Sequence, residues 1–184
     1  MSATTSTTPP NIYPDLYNFP PFFTRQPNTT TFAAQLHAWS TFILTYCRHH
    51  RLFTLELSTA LDSDLFHNKA LNRRLKPADA VEVLEAMRKD GLVEWVDGAT
   101  RSTVLVYWRK PAEWAEVLYR WVESVGQKGS VLTLWELVNG EMTEGEEFHG
   151  MHPMVLQSVL AVMVKRGQAQ TIGTEIDEMG VKFF

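Results

Sequence analysis

One cysteine, Cys47, is all that this chain of 184 residues contains, so no disulfide can close within it, and the sequence fits a reducing compartment such as the cytosol. Long apolar runs are missing too. The longest, Val159 to Val164, falls far short of the roughly 18 residues that a membrane-crossing helix needs, so a soluble protein is expected. Met1 to Thr8 has neither a basic start nor an apolar stretch, and no targeting signal is expected there. Positive charge is also in short supply. Lys and Arg number 17 against 21 Asp and Glu, a formal net charge of -4, which leaves no global field to gather nucleic acid or anionic lipid. Phosphate-binding glycine loops, nucleophile elbows and dinucleotide fingerprints are absent, so we expect neither catalysis nor a cofactor. Hydrophobic residues, in contrast, make up 45% of the chain, enough to bury real cores.

Proline is concentrated at one end. Residues 1–29 hold six of the nine prolines (Pro9, Pro10, Pro14, Pro20, Pro21 and Pro27), interleaved with Tyr13, Tyr17, Phe19, Phe22 and Phe23. Each proline fixes its own φ and pushes its predecessor towards extended geometry, so this arm should be polyproline-like or irregular. Disordered tails seldom carry five large rings. These must pack on the adjoining domain or on another protein.

From Phe32 onward, apolar residues recur at helical spacing through Leu36, Trp39, Ile43 and Tyr46, with Thr30 or Thr31 as a candidate cap. Alternation over Phe53 to Ser58 reads as a strand, and Asp62-Ser63-Asp64 could open a short helix carrying Leu65 and Phe66. Pro77 suits the first turn of a further helix, whose apolar Val81, Leu84 and Met87 run to a stop at Gly91. Leu92 to Val96 and Thr103 to Trp108 then form a hairpin.

The same order recurs. Trp114 follows Trp39 by 75 residues (114 minus 39), and Val159 follows Val83 by 76 (159 minus 83), while Gly91 to Trp108 and Gly167 to Phe184 both span 17 steps. A duplicated unit follows. Helix, strand, short helix, packed helix and hairpin is the order of a winged-helix domain. We therefore expect an α+β, mainly helical chain: a docking arm over 1–29, a first winged helix over 30–110 and a second over 111–184. Trp108-Arg109-Lys110-Pro111 is too short for a flexible linker, which predicts a rigid rod.

Winged helices commonly bind DNA, which makes a DNA-binding or transcription-associated protein the alternative reading. Against it, the helix after Pro77 places Asp79, Glu82 and Glu85 outside its apolar stripe, where they repel phosphate. Cys47, His49 and His50 share one helix without a second ligand cluster, so a buried thiol beside partly exposed histidines accounts for them. No metal site is expected. Most of the six tryptophans lie at core spacing; an exposed one would mark a partner surface.

Three motifs in order, Phe19-Pro20-Pro21-Phe22-Phe23-Thr24-Arg25-Gln26-Pro27, Trp108-Arg109-Lys110-Pro111-Ala112-Glu113-Trp114 and Glu147-Phe148-His149-Gly150-Met151, closely resemble the small subunit family of the ESCRT-II endosomal sorting complex. The likeness runs from about Tyr13 to Phe184. It implies a Y-shaped complex in which two copies of this chain are each held by one of two larger winged-helix subunits. The arm and first winged helix would dock, and the second would recruit and activate an ESCRT-III subunit. The chain would be cytoplasmic and recruited to endosomes, touching membrane only through other subunits. Carried over by residue, Pro20, Pro21, Phe22 and Phe23 match the docking motif and Arg73 a partner-facing arginine. Upstream, Tyr13 and Tyr17 fall in two imperfect Pro/Tyr motifs. Docking Phe22 and Phe23 in partner pockets would contribute roughly 1.5 to 3 kcal/mol per ring. Packing within the chain is the competing reading, and a WW-domain ligand a third, disfavoured because Phe23 stands where tyrosine would. For the ESCRT-III contact, the expected surface is Thr133 to Val138, with Trp135, and the acidic loop with Glu146, Glu147 and His149.

Overall fold

The computed structural model describes residues 11–173 and 179–184. Helix α1 (Thr29–His49) starts at Asn28, whose side-chain oxygen accepts from the backbone N–H of Thr30 at 3.0 Å and of Thr31 at 3.1 Å. The cap thus precedes both threonines expected in that role, since asparagine can serve two of the helix's orphan donors at once. After α1 come strand β1 (Thr54–Glu56) and helix α2 (Leu57–Asp62). The short helix therefore ends at Asp62, where the sequence pattern had it begin. Glu56 decides this by accepting from the N–H of Thr59 at 3.2 Å, which caps the helix six residues earlier (62 minus 56). Leu65 and Phe66 lie beyond the helix yet are fully buried.

A two-residue ladder, β2 (His67–Asn68) with β3 (Arg73–Arg74), leads into α3 (Pro77–Lys89), β4 (Val93–Trp95) and β5 (Thr103–Val106). The second module runs α4 (Pro111–Ser124), β6 (Val131–Thr133), α5 (Leu134–Asn139), α6 (Pro153–Lys165), β7 (Ala169–Ile172) and β8 (Gly180–Phe183). Its parts map onto the first: α6 trails α3 by 76 residues (153 minus 77) and β6 trails β1 by 77 (131 minus 54). The sheets share a topology, β1-β5-β4 and β6-β8-β7, antiparallel throughout. Even the helix stops agree. Gly91 and Gly167 both take φ of +70°, letting Leu92 N–H reach back to Met87 and Gln168 N–H to Met163, each at 2.9 Å. These are two winged helices in tandem.

Two apolar cores form, but neither respects a strict boundary. The first gathers Trp39, Phe42, Phe66, Leu84 and Met87, and Tyr17, Phe22 and Phe23 enter it from the arm. The second centres on Trp114, Phe148, Leu160 and Phe183, and draws in Phe53 and Leu105 from the first module. At the junction Trp108 Nε1 donates to Leu52 O at 2.9 Å, and its ring meets those of Phe53 and Trp114 at 5.2 and 4.8 Å.

Candidate interaction surfaces

From residue 11 onward the arm folds into two single turns of 3-10 helix, Asp15–Asn18 and Pro20–Phe23, where polyproline-like or irregular backbone was expected. Pro20 and Pro21 open the second turn, where no N–H is required, so they permit it rather than break it. Phe22 N–H then bonds Phe19 O at 2.9 Å and Thr24 N–H bonds Pro21 O at 3.1 Å.

Within this chain the rings of Phe22 and Phe23 are not free for partner pockets: they are 4% and 2% exposed and fill the first module's own core. The polar groups above them hold the turn in place. Phe22 O accepts from Gln35 Nε2 at 2.8 Å and Trp39 Nε1 at 3.1 Å, while Gln35 Nε2 also donates to Thr24 O at 2.9 Å. Tyr17 is likewise buried, and Asn68 Nδ2 donates to its carbonyl at 2.8 Å. Around Asp64 three phenols converge. The Tyr13 hydroxyl donates to the carboxylate, Tyr46 donates to it at 2.7 Å, and Tyr17 donates to the Asp64 backbone oxygen. Burial, reinforced by the Asp64 charge, pushes the Tyr17 phenol up to about 12 and raises Tyr13 and Tyr46 as well. Burial also acts to raise the Asp64 carboxyl, but the bonds from Tyr13 and Tyr46 outweigh it and hold the group below its ordinary value.

What faces outward is a different set. Leu16 and Phe19 are 44% and 54% exposed, and Pro20 and Pro21 are exposed beside them. Leu16, Phe19 and Pro21 border a groove of about 190 Å³ floored by Thr31 and Ala34 of α1. Strand β3 packs alongside the Pro20–Phe23 turn, which brings Arg73 into the same region. Arg73 is exposed and approaches Asn72 O at 3.5 Å, whereas neighbouring Arg74 pairs with Asp62 at 3.0 Å. Sequence reasoning passed over Leu16 as a surface residue. The signal was its spacing from Tyr17, one residue off the buried side of a one-turn helix.

In the second module the five nominated residues separate. Thr133 caps α5, its hydroxyl accepting from Glu136 N–H at 3.1 Å while Glu136 Oε2 accepts from Thr133 N–H at 2.7 Å. Trp135 projects from α5 on the side away from Leu134, Leu137 and Val138 and is 65% exposed, with Val131 and Met142 also exposed nearby in the chain. Glu146 is half-buried, its N–H bonded to Thr143 O at 2.8 Å. Glu147 and His149, expected on an acidic partner face, also make contacts within the chain. Glu147 pairs with Arg48 at 3.2 Å and with Arg109, and His149 Nδ1 lies 3.0 Å from the hydroxyl of fully buried Thr143, so both are engaged within the chain.

On α3, Glu82 pairs with Arg25 at 2.8 Å, and Glu85 accepts from Arg88 at 3.0 Å and from Trp95 Nε1 at 2.7 Å. A carboxylate-bearing helix is a poor fit to the major groove, and the duplex-DNA alternative gains no support. Cys47 is fully buried, which pushes its thiol up to about 12. Among the described residues no three His, Cys, Asp or Glu side chains gather as a ligand set, and no helix is long and apolar enough to cross a membrane.

Comparison with known proteins supplies the context for these surfaces. The family model described as "ESCRT-II complex subunit" matches residues 16–152. Proteins named vacuolar protein-sorting-associated protein 25 are 45% identical in Xenopus laevis and 44% identical in Homo sapiens, covering 94% of this chain and 98% and 97% of theirs. The corresponding protein of Dictyostelium discoideum is 34% identical over 94% of this chain and 95% of its own. Among solved structures, a VPS25 subunit of the endosomal trafficking complex ESCRT-II superposes with a TM-score of 0.82 at 28% identity, covering 92% of this chain and 97% of that one. A chain of the assembled VPS22/VPS25/VPS36 complex gives 0.81 at 27% identity, covering 94% and 99%.

Proposed function

The chain belongs to the ESCRT-II complex subunit family, and from that membership we infer that it works as a non-catalytic adaptor in endosomal sorting, joining the larger subunits of its complex to an ESCRT-III subunit. Its larger partners are the counterparts of the VPS22 and VPS36 that accompany VPS25 in the solved assembly. Two copies enter each complex, one per larger subunit. The chain is cytoplasmic and reaches endosomal membrane only through other subunits.

The observation that carries this reading is Phe19, more than half exposed on an arm that is otherwise pinned to the first module. Exposed Leu16, Pro20 and Pro21 extend the same surface, and exposed Arg73 offers a charge at its edge. An apolar surface with a cation at the rim suits a protein partner better than a small substrate. Because Phe22 and Phe23 build the turn that displays Phe19, the four-residue docking motif contributes as a scaffold and through its two prolines. On the second module, Trp135 is the residue best exposed to receive the ESCRT-III subunit.

Co-expression with the two larger subunits tests the reading. A Leu16→Asp, Phe19→Asp double variant should fold with an unchanged circular dichroism spectrum and fail to co-purify with them. Full retention of co-purification would place the docking surface elsewhere.

A further inference from the structure

We propose that Glu147 is a positioning residue that fixes the angle between the two winged-helix modules, clamping Arg48 of the first module and Arg109 of the connector with one carboxylate. The proposal goes beyond the adaptor reading and does not depend on which partners the modules bind.

The junction has two layers. Its inner layer is apolar: Phe53 and Leu105 of the first module sit in the second module's core, and Trp108 packs edge-on to Trp114. The apolar driving force itself is non-directional, so a polar contact at the rim of this stack adds a restraint on rotation that burial alone does not supply. Arg109 alone lies between Trp108, which is bonded to Leu52 O, and Lys110, whose N–H is held by Glu113 at 2.8 Å as the cap of α4. Charge-assisted hydrogen bonds are directional and are suited to that restraint.

Glu147 supplies it from a rigid base. Its neighbour Phe148 is 1% exposed and packs on Trp121 at 5.5 Å, while His149 is tied to Thr143, so the loop that carries the carboxylate cannot drift. One carboxylate oxygen accepts from Arg48 Nη2 at 3.2 Å, in the last turn of α1; the other accepts from Arg109 Nη2. Arg109 also lies 5.1 Å from the Trp114 ring centre, and its buried Nε has no partner among the described residues, so this guanidinium depends on Glu147 for compensation. Removing the carboxylate would leave two like charges facing each other across the pivot, one of them part-buried. They would swing the modules apart about the aromatic stack.

The test uses the full chain carrying spin labels at Thr45→Cys on α1 and Arg120→Cys on α4, both exposed helix positions, with Cys47 left in place because it is fully buried. Double electron–electron resonance should return a single narrow distance for the parent. Glu147→Gln and Arg48→Ala should each lose it, giving a broad or shifted distribution while each module keeps its circular dichroism spectrum. Lys128→Ala, which breaks a Lys128–Glu123 pair lying wholly within the second module, should leave the distance as narrow as in the parent. If Glu147→Gln fails to fold, Arg48→Ala decides, since its side chain is 60% exposed. A distribution unchanged in the clamp variants, or broadened equally by Lys128→Ala, would overturn the proposal.

Discussion

Phe22 lies flat on Trp39, ring centroids 4.2 Å apart and planes 8° from parallel. The pair makes the arm part of the first module's core, and it separates what the arm does for stability from what it does for binding. Phe22→Ala should destabilise the chain by about 3 to 5 kcal/mol in chemical denaturation, the usual cost of emptying a buried aromatic site. Phe19→Asp, three residues earlier, should stay within about 0.5 kcal/mol of the parent. Equal effects of the two substitutions would mean that the arm is not docked as described.

Arg73 projects from β3 next to the Pro20–Phe23 turn without an ion-pair partner among the described residues, while Arg74 is paired. Reversing its charge should therefore leave the melting temperature unchanged and weaken assembly with the larger subunits by at least about 2 kcal/mol, as for a charge desolvated at an interface. Calorimetric titration of the Arg73→Asp chain against those subunits measures it. An unaltered Kd would leave Arg73 in solvent.

Trp135 stands out among the six tryptophans because α5 points it away from the core. Trp135→Ala should preserve the fold and assembly with the larger subunits but cost on the order of 2 kcal/mol or more in binding an ESCRT-III subunit, the scale of an aromatic hot spot. Loss of stability instead would reassign it to packing.

Alkaline pH should loosen the arm first. In the unfolded chain these phenols ionise near 10, whereas in the fold Tyr17 holds its proton to about 12, and Tyr13 and Tyr46 are raised too. A folded value above the unfolded one contributes stability that is complete below pH 10 and disappears as pH climbs through the folded value. The melting temperature should accordingly fall between pH 10 and 12, with phenolate absorbance rising in step. A flat melting temperature across that interval would contradict the Asp64 cluster.

Much of the fold could be read from spacing, because a repeated apolar pattern constrains burial directly. The offsets of 75 and 76 residues recur as the 76 that separate α3 from α6 and the 77 that separate β1 from β6, and Gly91 and Gly167 end their helices at φ of +70°. Local capping was harder to read, since Asn28 against Thr30, or Glu56 against Asp62, is decided by which side chain reaches an unbonded N–H. The arm exposed a deeper limit. Its composition showed that five rings must be covered, but not by which chain, and three of them turned inward because Gln35, Trp39 and Asn68 capture the backbone between them. The acidic loop's contacts within the chain were hidden for a related reason. Nothing within Glu146-Glu147-Phe148-His149 announces Arg48 and Arg109, which reach Glu147 only after the modules meet.

Native mass spectrometry of the chain reconstituted with both larger subunits tests the adaptor account most directly. The account predicts one complex holding two copies of this chain, and a Phe19→Asp chain that remains folded and unassembled. A folded Phe19→Asp chain that enters the complex in parent proportion, or a parent chain that never enters it, would contradict the account.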